Sequence, residues 1–269
     1  HWREASACPD LIRAAHRAAA RRHIRSDGSA RQGHPLQQIG PHIAANVSEF
    51  RFDARVVDVF DDMIERSVPG YRAILSMLTP LAARYATPNS NLYDLGCSLG
   101  GATQALQKGL TDPTSQLIAI DSSPEMVAKA AQRLDKAIKL HCRDIRAQSI
   151  EQASIVVLNF TLQFIPIDQR TNLLNRIAKG MQPGGVLVLS EKLAFTDPHI
   201  NPHMIELHQD FKRAHGYSEL EISQKRSALE NVLIPETLET HHHRLKSSGF
   251  QSVETWFQCF NFSSMLAFK

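Results

Sequence analysis

Between residues 91 and 192, short and almost wholly apolar runs alternate with longer amphipathic ones. NLYDLG (91–96), QLIAID (116–121), KLHCRD (139–144), ASIVVLNF (153–160) and GGVLVLSEK (184–192) are the apolar runs. GATQALQKGL (101–110), SPEMVAKAAQRLDKA (123–137) and residues 168–180, closed by Gly180, carry helical spacing. Near-continuous Val, Ile and Leu marks strands buried on both faces, as parallel sheets require. The strand–helix repeat therefore predicts an α/β fold, a doubly wound sheet with helices on both faces. Ser123 is placed to cap the helix after it, with Pro124 in the first turn and Glu125 where the helix dipole favours an acid.

The flanks extend this pattern. Residues 50–86 predict one helix over about 54–66 and another over about 71–85, parted at Pro69-Gly70. Residues 202–248 read helical throughout, with an insertion over about 202–232. QSVETWFQCFNFSSMLAFK (251–269) alternates and is rich in Trp and Phe, so it predicts an antiparallel hairpin at the sheet edge and brings the strands to seven. Residues 42–269 read as one domain. Residues 1–41 differ, with seven arginines, no lysine and three acids. Their Ala/Arg-rich stretch fits a targeting or RNA-binding arm in part, but SDGSARQGHP (26–35) has no apolar face. A variable extension, disordered or loosely helical, is the expectation.

Composition removes several function classes. The whole-chain charge of +3 excludes a strongly basic polyanion binder and an acidic tail protein. At 43% apolar and 21% charged residues the chain is too apolar to be disordered. Cys8, Cys97, Cys142 and Cys259 lie far apart without CxxC pairing, which speaks against a disulfide framework or zinc ribbon and for a reducing, cytoplasmic setting. No run approaches 18 apolar residues, so no membrane span is expected.

In an open α/β sheet, ligands bind at the carboxyl ends of the strands. The first strand ends in Asp94-Leu95-Gly96-Cys97-Ser98-Leu99-Gly100-Gly101. A dinucleotide fingerprint needs glycine at 98, where this chain has serine, so the loop matches a pyrophosphate cradle only in part. Asp121, 25 residues after Gly96, ends the second strand and can accept both hydroxyls of a ribose. Asp144 and Ile145 end the third, pairing an acceptor for an exocyclic amine with an apolar face for an adenine. Asn159 ends the fourth. The set describes a nucleoside pocket with little phosphate machinery, which favours S-adenosyl-L-methionine over NAD. Asp94 would hold the ammonium of its methionine tail, directly or through water.

DARVVDVFDDMIERSVPGY (53–71), YDLGCSLGGAT (93–103), VVLNFTLQFI (156–165), PGGVLVLSEK (183–192), DFKRAHGYSELEISQKRSALENVL (210–233) and ETWFQCFNF (254–262) resemble the carboxy-S-adenosyl-L-methionine synthases. The resemblance covers roughly residues 50–269, and the 210–233 stretch is not a generic methyltransferase motif. It implies a Rossmann-like class I methyltransferase fold with helical additions. It also implies the conversion of S-adenosyl-L-methionine and prephenate into carboxy-S-adenosyl-L-methionine and phenylpyruvate. Prephenate loses carbon dioxide, its departing hydroxyl takes a proton from the sulfonium methyl, and the resulting ylide captures the carbon dioxide. A partner tRNA carboxymethyltransferase then uses the product on a 5-hydroxyuridine at the tRNA wobble position. The resemblance further implies a homodimer, no metal, no protein general base, no stable nucleic-acid contact and no membrane contact.

Carried over residue by residue, the binding positions are Tyr71, Gly96, Cys97, Ser98, Asp121, Ser122, Asp144, Ile145, Asn159 and Arg226. The family pattern has asparagine where this chain has Ser122, so contact there can come from side chain or backbone. Arg226 is the candidate for the carboxylate that distinguishes the product from its parent, since a guanidinium fork holds a carboxylate through two parallel hydrogen bonds. Removing one member of such a desolvated pair costs roughly 2–5 kcal/mol.

Three other features read as structural. Consecutive His241, His242 and His243 point in different directions on a helix, so a solvated helix is expected rather than a metal site. Cys97 reads as a small residue whose backbone faces the ligand. Trp256, Phe257, Phe260 and Phe262 read as core rather than a base-stacking platform. The alternative function in the same fold is an ordinary methyltransferase acting on a small molecule or RNA.

Overall fold

The computed structural model describes residues 54–269 apart from 230 and 231. The expectations for residues 1–41 lie outside the described residues. Two helices come first, α1 (Ala54–Ser67) and α2 (Tyr71–Tyr85). The αβ repeat follows as β1 (Asn91–Leu95), α3 (Gly101–Gly109), β2 (Gln116–Asp121), α4 (Pro124–Ala130), β3 (Lys139–Cys142), β4 (Ala153–Asn159), α5 (Ile167–Gly180) and β5 (Met181–Lys192). Two helices, α6 (Ile200–Ala214) and α7 (Glu219–Leu229), precede α8 (Leu238–Ser247) and the hairpin β6 (Ser252–Cys259) and β7 (Phe262–Phe268).

The seven strands form one sheet in the order β3-β2-β1-β4-β5-β7-β6. β1 to β5 are parallel, and β7 runs antiparallel between β5 and β6. The chain order reverses between β1 and β4, the switch point where a crevice opens at the carboxyl ends. Successive side chains alternate across the sheet. Tyr93, Leu95, Ile118, Ile120, Val156 and Leu158 pack on one face with Leu173 and Ile177 of α5. Leu92, Leu117, Ala119, Ile155 and Val157 pack on the other with Leu78 of α2 and Leu106 of α3. Burial on both faces is why these strands lack polar alternation.

Four expectations are corrected. The helix read over 123–137 ends at Ala130 and gives way to turns, although Ser123 caps it as expected by accepting from the Met126 amide at 3.1 Å. Leu134 lies within these turns and packs beside Gly100, in the turn after β1. The last parallel strand starts at Met181 rather than 184. Met181 pairs with Ala153, the chain bulges through Pro183-Gly184-Gly185, and pairing resumes at Val186. The stretch 202–248 is not one helical run. It breaks at Gly216, whose φ is 84°, and again before α8, where Leu193 bridges Glu236. His241 is not solvated, because it faces the interior at 1% exposure. No helix among the described residues is long and apolar enough to cross a membrane.

Candidate active site

The ends of β1, β2 and β4 open into a cavity of about 770 Å³, roofed by α1, α6 and α7. Tyr71, Gly96, Cys97, Ser98, Asp121, Ser122, Asp144, Ile145, Asn159 and Arg226 all line it, as does Asp94. All ten positions carried over from the sequence therefore meet in one space.

The glycine turn is built to approach a ligand without cradling a phosphate. The amides of Gly96 and Cys97 both donate to the Ile120 carbonyl, at 2.8 and 2.9 Å. The Ser98 amide donates to Asp121 Oδ2 at 2.8 Å, with Ser98 held at φ 48°. Three amides that could wrap an anion are thus consumed inside the fold. Gly96 has φ 84°, and a Cβ there would lie 2.4 Å from the Thr161 side chain. Only glycine meets both conditions.

Asp121 also accepts from the Ser123 amide through Oδ1 at 2.9 Å, and its side chain lines the cavity. Asp94 is 1% exposed. Its Oδ2 accepts from Thr103 at 2.5 Å, while Oδ1 is buried without a partner. Burial pushes its pKa up to about 6, against the Thr103 hydrogen bond and with help from Asp121. Asn159 Oδ1 on the neighbouring strand is likewise buried and unpartnered. Two orphan acceptors at adjacent strand ends suit an ammonium, because a buried acceptor left without a donor is costly. Burial, and then Asp94, raise the Tyr71 phenol above its ordinary range, and burial does the same to the Cys97 thiol. Cys97 is therefore a neutral packing residue rather than a thiolate nucleophile.

Two expected contacts differ in detail. Asp144 lines the cavity, but its carboxylate is already forked onto Arg146, which donates from Nε to Oδ1 at 3.0 Å and from Nη2 to Oδ2 at 2.5 Å. It also caps the turn after β3 by accepting from the Arg146 amide. That engagement, with the Arg146 hydrogen bond as the main cause, holds its pKa below the usual carboxylate value. Arg226 lines the cavity yet is exposed, so a carboxylate bound there is less desolvated than a buried pair would be.

A basic group that the sequence did not single out fills the end near Arg226. Lys192 ends β5, His208 and Lys212 lie one turn apart on α6, and Lys225 sits on α7. Lys212 is 8% exposed and Lys192 and Lys225 are half-buried. Among the described residues none of the three lysines forms an ion pair with a carboxylate. Burial, then Lys192, lowers the Lys212 pKa to about 8. Burial, then Lys212, Arg66 and Lys192, lowers that of Lys225 to about 7. His208, buried and beside Lys212, is pushed down to about 3 and binds the Ser67 carbonyl at 2.8 Å. Lys192, at a strand end, and the four-residue spacing of His208 and Lys212 were the available sequence signals.

Comparison with known proteins agrees with this geometry. Residues 93–187 match the family model described as "Methyltransferase domain". A carboxy-S-adenosyl-L-methionine synthase of Trichlorobacter lovleyi is 55% identical over 230 residues, covering 83% of this chain and 94% of that one. One of Aeromonas salmonicida is 54% identical over 241 residues, covering 88% and 98%. The chain belongs to the carboxy-S-adenosyl-L-methionine synthase family. At the level of fold, human N-acetylserotonin methyltransferase, solved in complex with SAM, superposes with a TM-score of 0.53 at 16% identity, covering 89% of this chain and 68% of that one. The carboxy-S-adenosyl-L-methionine synthase relatives match well beyond residues 93–187, so the likeness takes in more of the chain than the methyltransferase core.

Proposed function

We propose that this enzyme converts S-adenosyl-L-methionine and prephenate into carboxy-S-adenosyl-L-methionine, phenylpyruvate and water. The observation that carries the reading is a single cavity with opposite chemistry at its two ends. Asp94, Asn159 and Asp121 offer acceptors suited to an ammonium and a ribose, and Lys192, Lys212, Lys225 and Arg226 offer cations suited to carboxylates. At about 770 Å³ the space is in the upper part of the usual range for small-molecule sites, roughly 300–1,000 Å³, as two substrates side by side need. When bound, S-adenosyl-L-methionine supplies an acidic methyl on sulfur.

The chain's own contribution is positioning. Asp94 and Asn159 orient the ammonium, Asp121 the ribose, and Ile145 the adenine, whose exocyclic amine Asp144 accepts by giving up part of its fork to Arg146. Arg226 holds the carboxylate gained by the product. Exclusion of water by Phe60, Met63, Ile64 and Phe262, which wall the cavity, protects carbanion character from quenching. The product serves as carboxymethyl donor for a partner transferase acting on the wobble uridine of tRNA, and the enzyme acts as a homodimer.

The test is to incubate the protein with S-adenosyl-L-methionine, with and without prephenate, and weigh the cofactor. A carboxylated product that needs prephenate supports the reading. Methyl transfer to an acceptor without dependence on prephenate would replace it with an ordinary methyltransferase.

A further inference from the structure

Three lysines converge on one end of the cavity, and no carboxylate pairs with them among the described residues. Lys225 Nζ donates to two neutral oxygens, Ser67 Oγ at 2.9 Å and Tyr217 Oη at 3.4 Å, and lies 5.4 Å from the centroid of the Tyr217 ring. Lys212 is more than nine-tenths buried. Gathering like charges out of water is unfavourable unless an anion completes the group.

We infer that Lys192, Lys212 and Lys225 bind the α-keto carboxylate of the second substrate, the carboxylate retained in phenylpyruvate, and that they reject the corresponding α-amino acid. The inference rests on the proposed function for the identity of that substrate. Prephenate has two carboxylates. One leaves the ring as carbon dioxide while the electron pair of the breaking carbon–carbon bond aromatises the ring and expels the hydroxyl. The hydroxyl takes a methyl proton from the sulfonium and departs as water, and the methylene carbanion adds to the carbon dioxide. Negative charge drains from the departing carboxylate during this step, so a lysine paired with it would stabilise the ground state and slow the reaction. The side-chain carboxylate keeps its charge throughout, and cations there anchor the substrate without opposing the chemistry.

Specificity follows from the same charges. An α-ammonium in place of the α-keto group would set a fourth like charge among the lysines, and like-charge juxtaposition excludes a ligand strongly. Phenylpyruvate and phenylalanine share a skeleton and differ at that carbon, so they are the probes. Titration calorimetry of the full chain, in the presence of S-adenosyl-L-methionine, should give phenylpyruvate at least a 30-fold preference over phenylalanine. Lys212→Met and Lys225→Met should each weaken phenylpyruvate at least tenfold while leaving affinity for S-adenosyl-L-methionine within about twofold, and Lys212→Arg should restore most of the loss.

Equal binding of the two probes by the unmodified protein would overturn the inference, and that comparison depends on no variant folding. Unchanged phenylpyruvate affinity in lysine variants that still bind S-adenosyl-L-methionine would overturn it too. If the protein makes the carboxylated cofactor yet fails these titrations, the inference falls and the proposed function stands. If it prefers phenylpyruvate yet makes no carboxylated cofactor, a lysine subsite for an α-keto carboxylate stands, and the proposed function falls together with the identity of the second substrate.

Discussion

Asp94 is the residue whose chemistry is most exposed to test. Its carboxylate must be ionised to hold an ammonium, and its pKa in the ligand-free protein is raised to about 6 by burial. Binding an ammonium pulls that pKa down, so Asp94 makes affinity depend on pH only below its ligand-free value. Affinity for S-adenosyl-L-methionine should be flat between about pH 6.5 and 7.5, below the range in which an α-ammonium loses its proton, and fall by up to tenfold per unit below pH 6, measured by titration calorimetry. Arg226→Ala should weaken carboxy-S-adenosyl-L-methionine by about 2 kcal/mol, in the range for hydrogen bonds to a charged group, because the side chain is exposed. Affinity for the plain parent should change far less, and equal losses for both ligands would remove Arg226 from the carboxylate. At this scale Asp94, Gly96, Asp121, Asp144, Ile145 and Asn159 were legible because strand ends place side chains by topology, whereas Tyr71 and Arg226, on α2 and α7, came only from the family resemblance. The lysines were not, because a lysine's burial depends on which distant element covers it. His241 escaped for the same reason, since α8 turns that one histidine of three to the core.

At the scale of elements, the site depends on how its walls are fastened. Residues 233–235 pass along the cavity with Leu233 and Pro235 in its lining. Arg170, fully buried on α5, pins this strap. It donates to the carbonyls of Gln163 at 3.0 Å, Ile165 at 2.8 Å and Ile234 at 2.9 Å, and pairs with Glu236. Burial alone would raise the Glu236 pKa, but hydrogen bonds from Arg244 and Arg170 outweigh it and hold it low. Arg170→Met would leave three carbonyls without this donor, at about 1–3 kcal/mol for each that stays dry. The expected outcome is a loss of at least about 3 kcal/mol in denaturant unfolding, and unchanged stability would show that the strap is held otherwise. The helix bounds of α1 and α2 and the strands β1 to β4 were readable from periodicity. The breaks inside 202–248 were not, since a Gly216 turn and a single bridge from Leu193 to Glu236 interrupt a stretch whose local propensity is helical throughout.

For the whole molecule, one sheet sets two chemistries at fixed separation. β1, β2 and β4 present acceptors, while β5 and the helices after it present cations, so under the proposed function a sulfonium ligand and an anionic partner would meet between them. The fold class could be read from the alternation of strands and helices, but the meeting of the two ends could not, because the lysines come from elements the doubly wound pattern does not place. The most direct test uses S-adenosyl-L-methionine with a deuterated methyl and prephenate labelled with carbon-13 in its ring carboxylate. Mass spectrometry of the cofactor after a single turnover should show one deuterium lost and the labelled carboxyl gained. A cofactor that keeps all its methyl deuterium, or a label found only in dissolved carbonate, would contradict the account.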